Sequence, residues 1–375
     1  MIVHISDCFP PRTGGIESQV AALAAAQHCA GQDVHVVTAT PAASGTGPDW
    51  PYPVHRVSAR LPRQMPIHPR AGRELDRLLD RLDPPVVHVH VGAISPFAWA
   101  ALGCARRKRI PTVVTVHSIW DAAVRAVYGA LRRTGPAPVA PTTITAVSRP
   151  TAWRVRQALP RTSPLVIPNG IDVSWWRHQT PVAAEEDEVR VAAVGRLVPR
   201  KEPMELLAAL RAAHARLARH DIRLRATFVG TGPSAQSMRS YILRHGMEPW
   251  VRLTGRMDSV GVRQLLAATD LFVNPSRREA FGIAALEART CAVPVLARQD
   301  TGVADFVRHN REGALCRHSA FSLVDELVWL ARTPGARHAL AEHNRQTLPT
   351  QCTWPAVTEA FAYAYETTAR TGSIG

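Results

Sequence analysis

The sequence predicts an α/β protein built as two doubly wound parallel sheets. Three observations carry that expectation. Short apolar runs bounded by turn residues alternate with segments of helical spacing, the pattern of repeated βαβ units. The runs are apolar at nearly every position, as parallel strands covered on both faces must be. The pattern also breaks after Ile171, crosses a polar stretch ending in Glu185-Glu186-Asp187-Glu188, and restarts at Val189. A chain of 375 residues has length for two such domains, each with its own core.

Taken in order, Ile2 to Ser6 is the first strand, and Asp7 to Gly15 is a loop holding Pro10-Pro11 and Gly14-Gly15. Ile16 to Ala30 follows as a helix with Val20, Leu23 and Ala24 on one face and Gly31 as its stop. Val34 to Val37 completes a βαβ unit without G-x-G-x-x-G, so the dinucleotide fingerprint is missing. Pro41 to Pro69 reads as long loops with one short strand. Arg73 to Leu82 has helical spacing; Val86 to His90, Val113 to His117 and Thr142 to Val147 are further strands. Ile167 to Asp172 is a turn.

In the second half, Val189 to Val194 is a strand and Gly195 to Lys201 a loop. The helix after it puts Leu206, Leu210, Ala213 and Leu217 on one face. Arg225 to Val229, Val251 to Thr254, Leu271 to Val273 and Pro294 to Ala297 are strands, and Trp354 to Thr368 is helical. In open α/β sheets, ligands bind beyond the carboxyl ends of the strands. The loops at Gly14-Gly15, His117, Gly195 to Lys201, Gly230 to Pro233, Gly255 and Glu279 all follow strands. The organisation therefore predicts two Rossmann-like domains facing a cleft.

The stretch Pro275 to Ala288 is the most informative one. It places Glu279 and the backbone of Ala280, Phe281 and Gly282 between a strand and a helix, with Glu287 further along. A helix N-terminus suits an anion, and carboxylates suit hydroxyl-rich ligands. Two glutamates taken alone would read as solvated surface residues, and so would Arg196 with Lys201. Together, two cations beside a glycine suit a diphosphate.

The Glu279 to Glu287 spacing resembles the E-x7-E element of the retaining glycosyltransferases of family 4, which have the GT-B fold. Gly195-Arg196-Leu197-x-x-x-Lys201 resembles that family's diphosphate loop, and Gly14-Gly15-Ile16-Glu17 its first glycine-rich loop. His117 resembles its active-site histidine, although a lone histidine after a strand is more often structural. Asn169 to Asp172, Gly230 to Pro233 and Leu253-Thr254-Gly255-Arg256 match further family segments in order. One segment departs: Asp300-Thr301-Gly302 stands where the family commonly has a double glycine, and Asp305 where it has a glutamate.

The resemblance implies a boundary after residue 171, a donor domain over 172–353 and a helix over 354–375 packing back on the first domain. It implies hexosyl transfer from a UDP- or GDP-sugar to a hydroxyl, with retention by same-face attack and no protein nucleophile. Arg196 and Lys201 would hold the diphosphate, Glu279 the sugar hydroxyls and Glu287 the ribose. His117 would touch the reacting sugar. Gly14, Gly15, Ala280, Phe281, Gly282, Gly255 and Arg256 would complete the donor site. No Asp-x-Asp occurs, which fits a reaction without metal or cofactor.

Alternatives are a sugar-nucleotide epimerase on the same fold, a non-catalytic nucleotide-sugar sensor and a basic nucleic-acid-binding protein. The net charge of +15 motivates the last. No nucleic acid is expected, because a binding module and interleaved aromatics are lacking. The charge also motivates an acceptor that is a small molecule or lipid-linked, with peripheral contact to an anionic membrane through Arg56 to Arg70. Six cysteines without a C-x-x-C pair, no membrane-length apolar run and no signal-peptide pattern at the start predict a cytoplasmic location.

Overall fold

The computed structural model describes residues 1–42, 49–58, 70–134, 142–177, 182, 185 and 187–372. The chain divides into two compact units, one comprising Met1–Gly170 with Gln351–Gly375 and the other Ile171–Thr350. Among the described residues no helix is long and apolar enough to cross a membrane.

The first unit is a sheet of seven strands: β1 (Ile2–Ser6), β2 (Val34–Thr38), β3 (Val54–Arg56), β4 (Val86–Val91), β5 (Thr112–Val116), β6 (Thr142–Ala146) and β7 (Leu165–Val166). Their order is β3-β2-β1-β4-β5-β6-β7, and every pairing is parallel. The winding reverses between β1 and β4, which opens a crevice at their carboxyl ends. Its helices are α1 (Gly15–Cys29), α2 (Ala71–Leu82), α3 (Pro96–Arg107), α4 (Ala122–Thr134) and α5 (Arg149–Ala158), joined by the C-terminal helix Trp354–Gly372. Alternate strand residues serve the two faces. Val3, Ile5, Val87, Val89 and Val116 pack with Leu75 and Leu79 of α2 and Phe97 of α3. On the opposite face Val113 packs with Leu23 of α1 and with Val357 and Phe361 of the C-terminal helix.

The second unit holds β8 (Glu188–Val194), β9 (Arg223–Val229), β10 (Val251–Gly255), β11 (Leu271–Asn274), β12 (Val295–Arg298) and β13 (Gly313–Cys316). The order β10-β9-β8-β11-β12-β13 is again all parallel, with the reversal between β8 and β11. Helices α6 (Val173–Arg177), α7 (Pro203–Leu217), α8 (Ala235–Arg244), α9 (Ser259–Ala267), α10 (Ile283–Thr290), α11 (Ala320–Arg332) and α12 (Pro334–Gln346) cover it. Helix α7 shows why such a segment is helical. Pro203 fills the first position, where no N–H bond is lost, and Leu206, Leu210, Ala213 and Leu217 bury one stripe.

Two local differences bear on the site. The loop after β8 contains a 3-10 turn, Pro199–Lys201, which fixes the direction of Lys201. Helix α10 starts at Ile283, so Glu279 sits four residues before it, on the loop. Its N-cap is Gly282 at φ 95°, a left-handed conformation that a side chain resists. A Cβ there would also lie 2.6 Å from Val303.

Candidate active site

At the reversal point of the second sheet, a pocket of about 410 Å³ opens at the carboxyl ends of β8 and β11. Arg196, Lys201, Asn274 and Glu279 line it. Glu279 is 7% exposed, and its Oε2 accepts from Lys201 Nζ at 2.5 Å and from Asn274 Nδ2 at 3.1 Å. Burial alone would push the Glu279 carboxyl up. The Lys201 charge and the two donors outweigh burial and bring it below the ordinary value, so it stays ionised. Arg196 is exposed at the pocket wall, a cation presented outward while Lys201 is held.

The loop carrying Glu279 is braced from beneath. Arg298, on β12, is 0% exposed, and its guanidinium donates to the Pro275 carbonyl at 3.2 Å, to Arg317 O at 2.6 Å and to Ser319 O at 2.7 Å. Its charge meets Glu205 of α7 at 2.5 Å, which also accepts from Arg277 at 2.7 Å. Ser276 Oγ donates to Arg200 O, tying the Glu279 loop to the Lys201 turn. Gly302 N donates to Glu279 O, and a Cβ at Gly302 would lie 2.0 Å from the Ala280 carbonyl. Only the second residue of the expected glycine pair meets that close approach. Thr301 is fully buried and donates its hydroxyl to Arg298 O at 2.8 Å.

The remaining donor-side residues spread around this pocket. Gly230 backs onto the Gly195 loop, where a Cβ would lie 1.9 Å from Gly195 O, and Gly230 N donates to Gly255 O. Arg256 is exposed beyond β10. Phe281 puts its ring into the core against Phe306, leaving only backbone for a ligand. Glu287 is half-buried on α10, and burial pushes its carboxyl up to about 8.

In the first unit, Gly14 caps α1 next to buried Glu17, which pairs with Arg12 at 3.4 Å. Gly15 opens the helix. His117 follows β5, and its backbone N donates to Val91 O. Its Nε2 lies 3.0 Å from Nδ1 of His90, and His90 Nε2 lies 3.0 Å from Nδ1 of His4. Burial depresses His117 and His4 to about 4 and holds His90 and His88 well below the ordinary range, helped by neighbouring histidines. Among the described residues, His4, His88 and His90 bring three nitrogens within 4.8 Å, a spacing a metal could use. Those nitrogens already carry hydrogen bonds to Gln27, Tyr365, Thr115 and one another. A pocket of about 270 Å³ lies against His117, lined also by Gln19, Asn169 and Trp354. Gln19 bonds Gly170 twice, at 3.0 Å each, which fixes the Asn169-Gly170 turn.

Sequence reasoning missed Asn274, Arg298 and Glu205, whose partners are remote in the chain. It also missed His4 and His90, which stand as polar residues at inward positions of otherwise apolar strands. Of the Arg56 to Arg70 loop, residues 59–69 lie outside the described residues.

A profile described as Glycosyltransferase Family 4 matches residues 13–175, and one described as Glycosyl transferases group 1 matches residues 176–347. A D-inositol 3-phosphate glycosyltransferase of Actinosynnema mirum is 31% identical over a match spanning 54% of this chain and 51% of that protein. A GDP-mannose-dependent α-(1-6)-phosphatidylinositol monomannoside mannosyltransferase of Mycobacterium tuberculosis is 26% identical across 83% of this chain and 84% of its own. The structure of HepE from Anabaena with UDP-glucose superposes with a TM-score of 0.74 at 18% identity, covering 97% of this chain and 99% of that one. Two adjoining family matches, the named relatives and the paired doubly wound sheets agree: this chain belongs to the glycosyltransferases of the family 4 type, with the GT-B fold.

Proposed function

We propose that this glycosyltransferase moves a hexosyl group from a nucleotide diphosphate sugar to an acceptor hydroxyl, with retention and without a metal. The observation that carries the reading is the pocket at the β8/β11 reversal, where Lys201 grips buried Glu279 and Arg196 stands exposed. Two cations at one pocket can bind a diphosphate and stabilise the charge that gathers on it as the glycosidic bond breaks. Glu279, ionised and held, accepts from sugar hydroxyls; Glu287 takes the ribose. The acceptor hydroxyl attacks on the face the diphosphate leaves, and a phosphate oxygen takes its proton. The absence of Asp-x-Asp supports giving the electrostatic work to Arg196 and Lys201.

The relatives support the substrate classes. One is named for GDP-mannose, and HepE was solved with UDP-glucose. The names of both relatives carry a phosphate on the inositol partner, which supports an anionic acceptor for a chain of net charge +15. A lipid-borne phosphate would bring the enzyme to an anionic membrane surface. The reading is tested by titrating UDP and GDP into the wild type and Lys201→Ala, then following donor turnover by mass spectrometry and product anomer by NMR. Binding that requires Lys201, retention, and turnover that survives EDTA are expected. Metal-dependent turnover, inversion, or binding indifferent to Lys201 would overturn it. Anionic vesicles and soluble sugar phosphates, offered as separate acceptors, distinguish the two sources of phosphate.

A further inference from the structure

The polar seam beneath α1 and the C-terminal helix forms one unbroken chain of hydrogen bonds. From His117 it runs to His90 at 3.0 Å, to His4 at 3.0 Å, to Gln27 at 2.7 Å and to Tyr365 at 2.9 Å. It continues to His88 at 2.8 Å, to Thr115 at 2.6 Å and to Thr145 at 2.7 Å. The strand registers make this possible: His4 sits beside His88, and His90, Thr115 and Thr145 share a row across β4, β5 and β6. All except His117 and Tyr365 are fully buried.

Such a chain restricts its own protons. A neutral imidazole has one donor and one acceptor nitrogen. Burial holds all four rings below the ordinary histidine range, so at pH 7 each is neutral and carries one proton. Two assignments remain, each the reverse of the other. The Gln27 amide chooses between them, because its Nε2 donates to Tyr365 and its Oε1 faces His4. His4 must then donate from Nε2 and accept at Nδ1. His90 in turn donates from Nε2 and accepts at Nδ1. His117 donates from Nε2, and its own Nδ1 is left with a lone pair. On the other side, Tyr365 donates to His88 Nδ1, His88 Nε2 donates to Thr115, and Thr115 donates to Thr145. Among the described residues Nδ1 of His117 has no protein partner, and its ring borders the pocket with Gln19 and Asn169.

We infer that His90, His4, Gln27 and Tyr365 are positioning residues that hold His117 as a neutral Nε2–H imidazole whose bare Nδ1 accepts a hydrogen bond from a substrate hydroxyl. The hydroxyl half of this rests on the glycosyl-transfer reading; the tautomer does not. A ring fixed this way discriminates. It accepts from a polyol and offers no proton to an anion.

The test is nitrogen NMR of the full chain labelled at histidine, where long-range couplings separate the two tautomers and the imidazolium. At pH 7 His117 is expected as Nε2–H, with His4 and His90 in the same form. In Gln27→Met the polarity loses its source, so those three rings should become tautomer mixtures while kcat falls by roughly tenfold, as when an orienting partner is lost. Donor KM should stay unchanged. Tyr365→Phe removes the acceptor that fixes the amide and should give the same mixing, a second route if Gln27→Met does not fold. An Nδ1–H or charged His117 in the wild type, or a folded Gln27→Met with the tautomer intact, overturns the assignment. Mixed tautomers with unchanged kcat overturn the substrate contact. If no donor turns over at all, the transfer reading fails while the spectrum still decides the seam.

Discussion

The two units share a topology and differ in how they keep buried polar groups. The first buries neutral histidines and threonines, bonded in series across strands. The second holds charges in pairs at buried or half-buried positions: Arg298 with Glu205, Lys201 with Glu279, Arg190 with Asp270 at 3.0 Å and Arg289 with Glu312 at 3.6 Å. A buried ion pair fixes one geometry but costs desolvation, and breaking it leaves a stranded charge. A neutral seam avoids that cost and orients hydrogens instead. On the proposed reading, one sheet holds an anion and the other fixes a proton position, a division of labour that common topology does not dictate.

The sharpest way to break the comparison is at Arg298. Replacing it by Ala leaves Glu205 with Arg277 alone and frees the Pro275, Arg317 and Ser319 carbonyls under the Glu279 loop. Urea unfolding of the second unit should show about 3–5 kcal/mol lost. A loss under 1 kcal/mol would mean the pairing is not what holds this loop.

Lys201→Ala is next. The fold should survive, because Glu279 can take up a proton once its cation is gone, but kcat should fall about 10²–10³-fold, the scale for one missing oxyanion donor. Steady-state kinetics with circular dichroism as a control decides it. Near-normal turnover in a folded variant removes the second unit's charges from the chemistry.

Acid separates the units by sign. His4 falls from 6.5 to about 4 in the folded chain, so below pH 6.5 the unfolded chain takes up a proton the folded one refuses. Stability of the first unit is therefore full above pH 6.5 and is lost as pH falls towards 4, by about 3 kcal/mol for this histidine alone. Asp7, raised to about 6 by burial, opposes this over 3.8 to 6, but one carboxylate stands against four histidines. In the second unit, Glu287 is raised to about 8, so acidification from 8 to 4.5 stabilises it. Burial raises Glu312 as well, but donation from Arg308 and the charge of Arg289 prevail and bring it to about 2. Its contribution is lost only from 4.5 down. Hydrogen exchange at pH 5 should show peptides of the first unit opening before those of the second; simultaneous opening would erase the distinction.

Much of this was legible in the sequence, and the omissions have physical causes. Strands β1, β4, β5, β8 and β11 announce themselves as apolar runs, because parallel strands are buried on both faces. β7 does not, being two residues long, and neither does β13, because Gly313-Ala314-Leu315-Cys316 holds no β-branched or aromatic residue. Glu279 and Lys201 stood out through local motifs. Their support did not, since Arg298 meets Glu205 only once the sheet has formed. The seam left a trace that was passed over: His88 and His90 alternate with valines, so both must point to one face. A histidine at every second position of a strand buried on both sides has to find a partner inside.

The smallest predicted effect concerns a place where the chain departs from its family's pattern. Restoring the double glycine with Thr301→Gly removes a buried hydroxyl that donates to Arg298 O and adds a flexible residue to a tight loop. The cost should be about 1–2 kcal/mol. It should give no gain in turnover, because the close approach to the Ala280 carbonyl belongs to Gly302, which is already glycine. Gly302→Ala is the control: its Cβ would strike backbone, which cannot rotate away, so it should cost more than Thr301→Gly and disturb Glu279 through the Gly302 N to Glu279 O bond. Comparing the two by urea unfolding and donor KM isolates what each position does. If Thr301→Gly raises turnover instead, the threonine restrains the pocket beside Glu279.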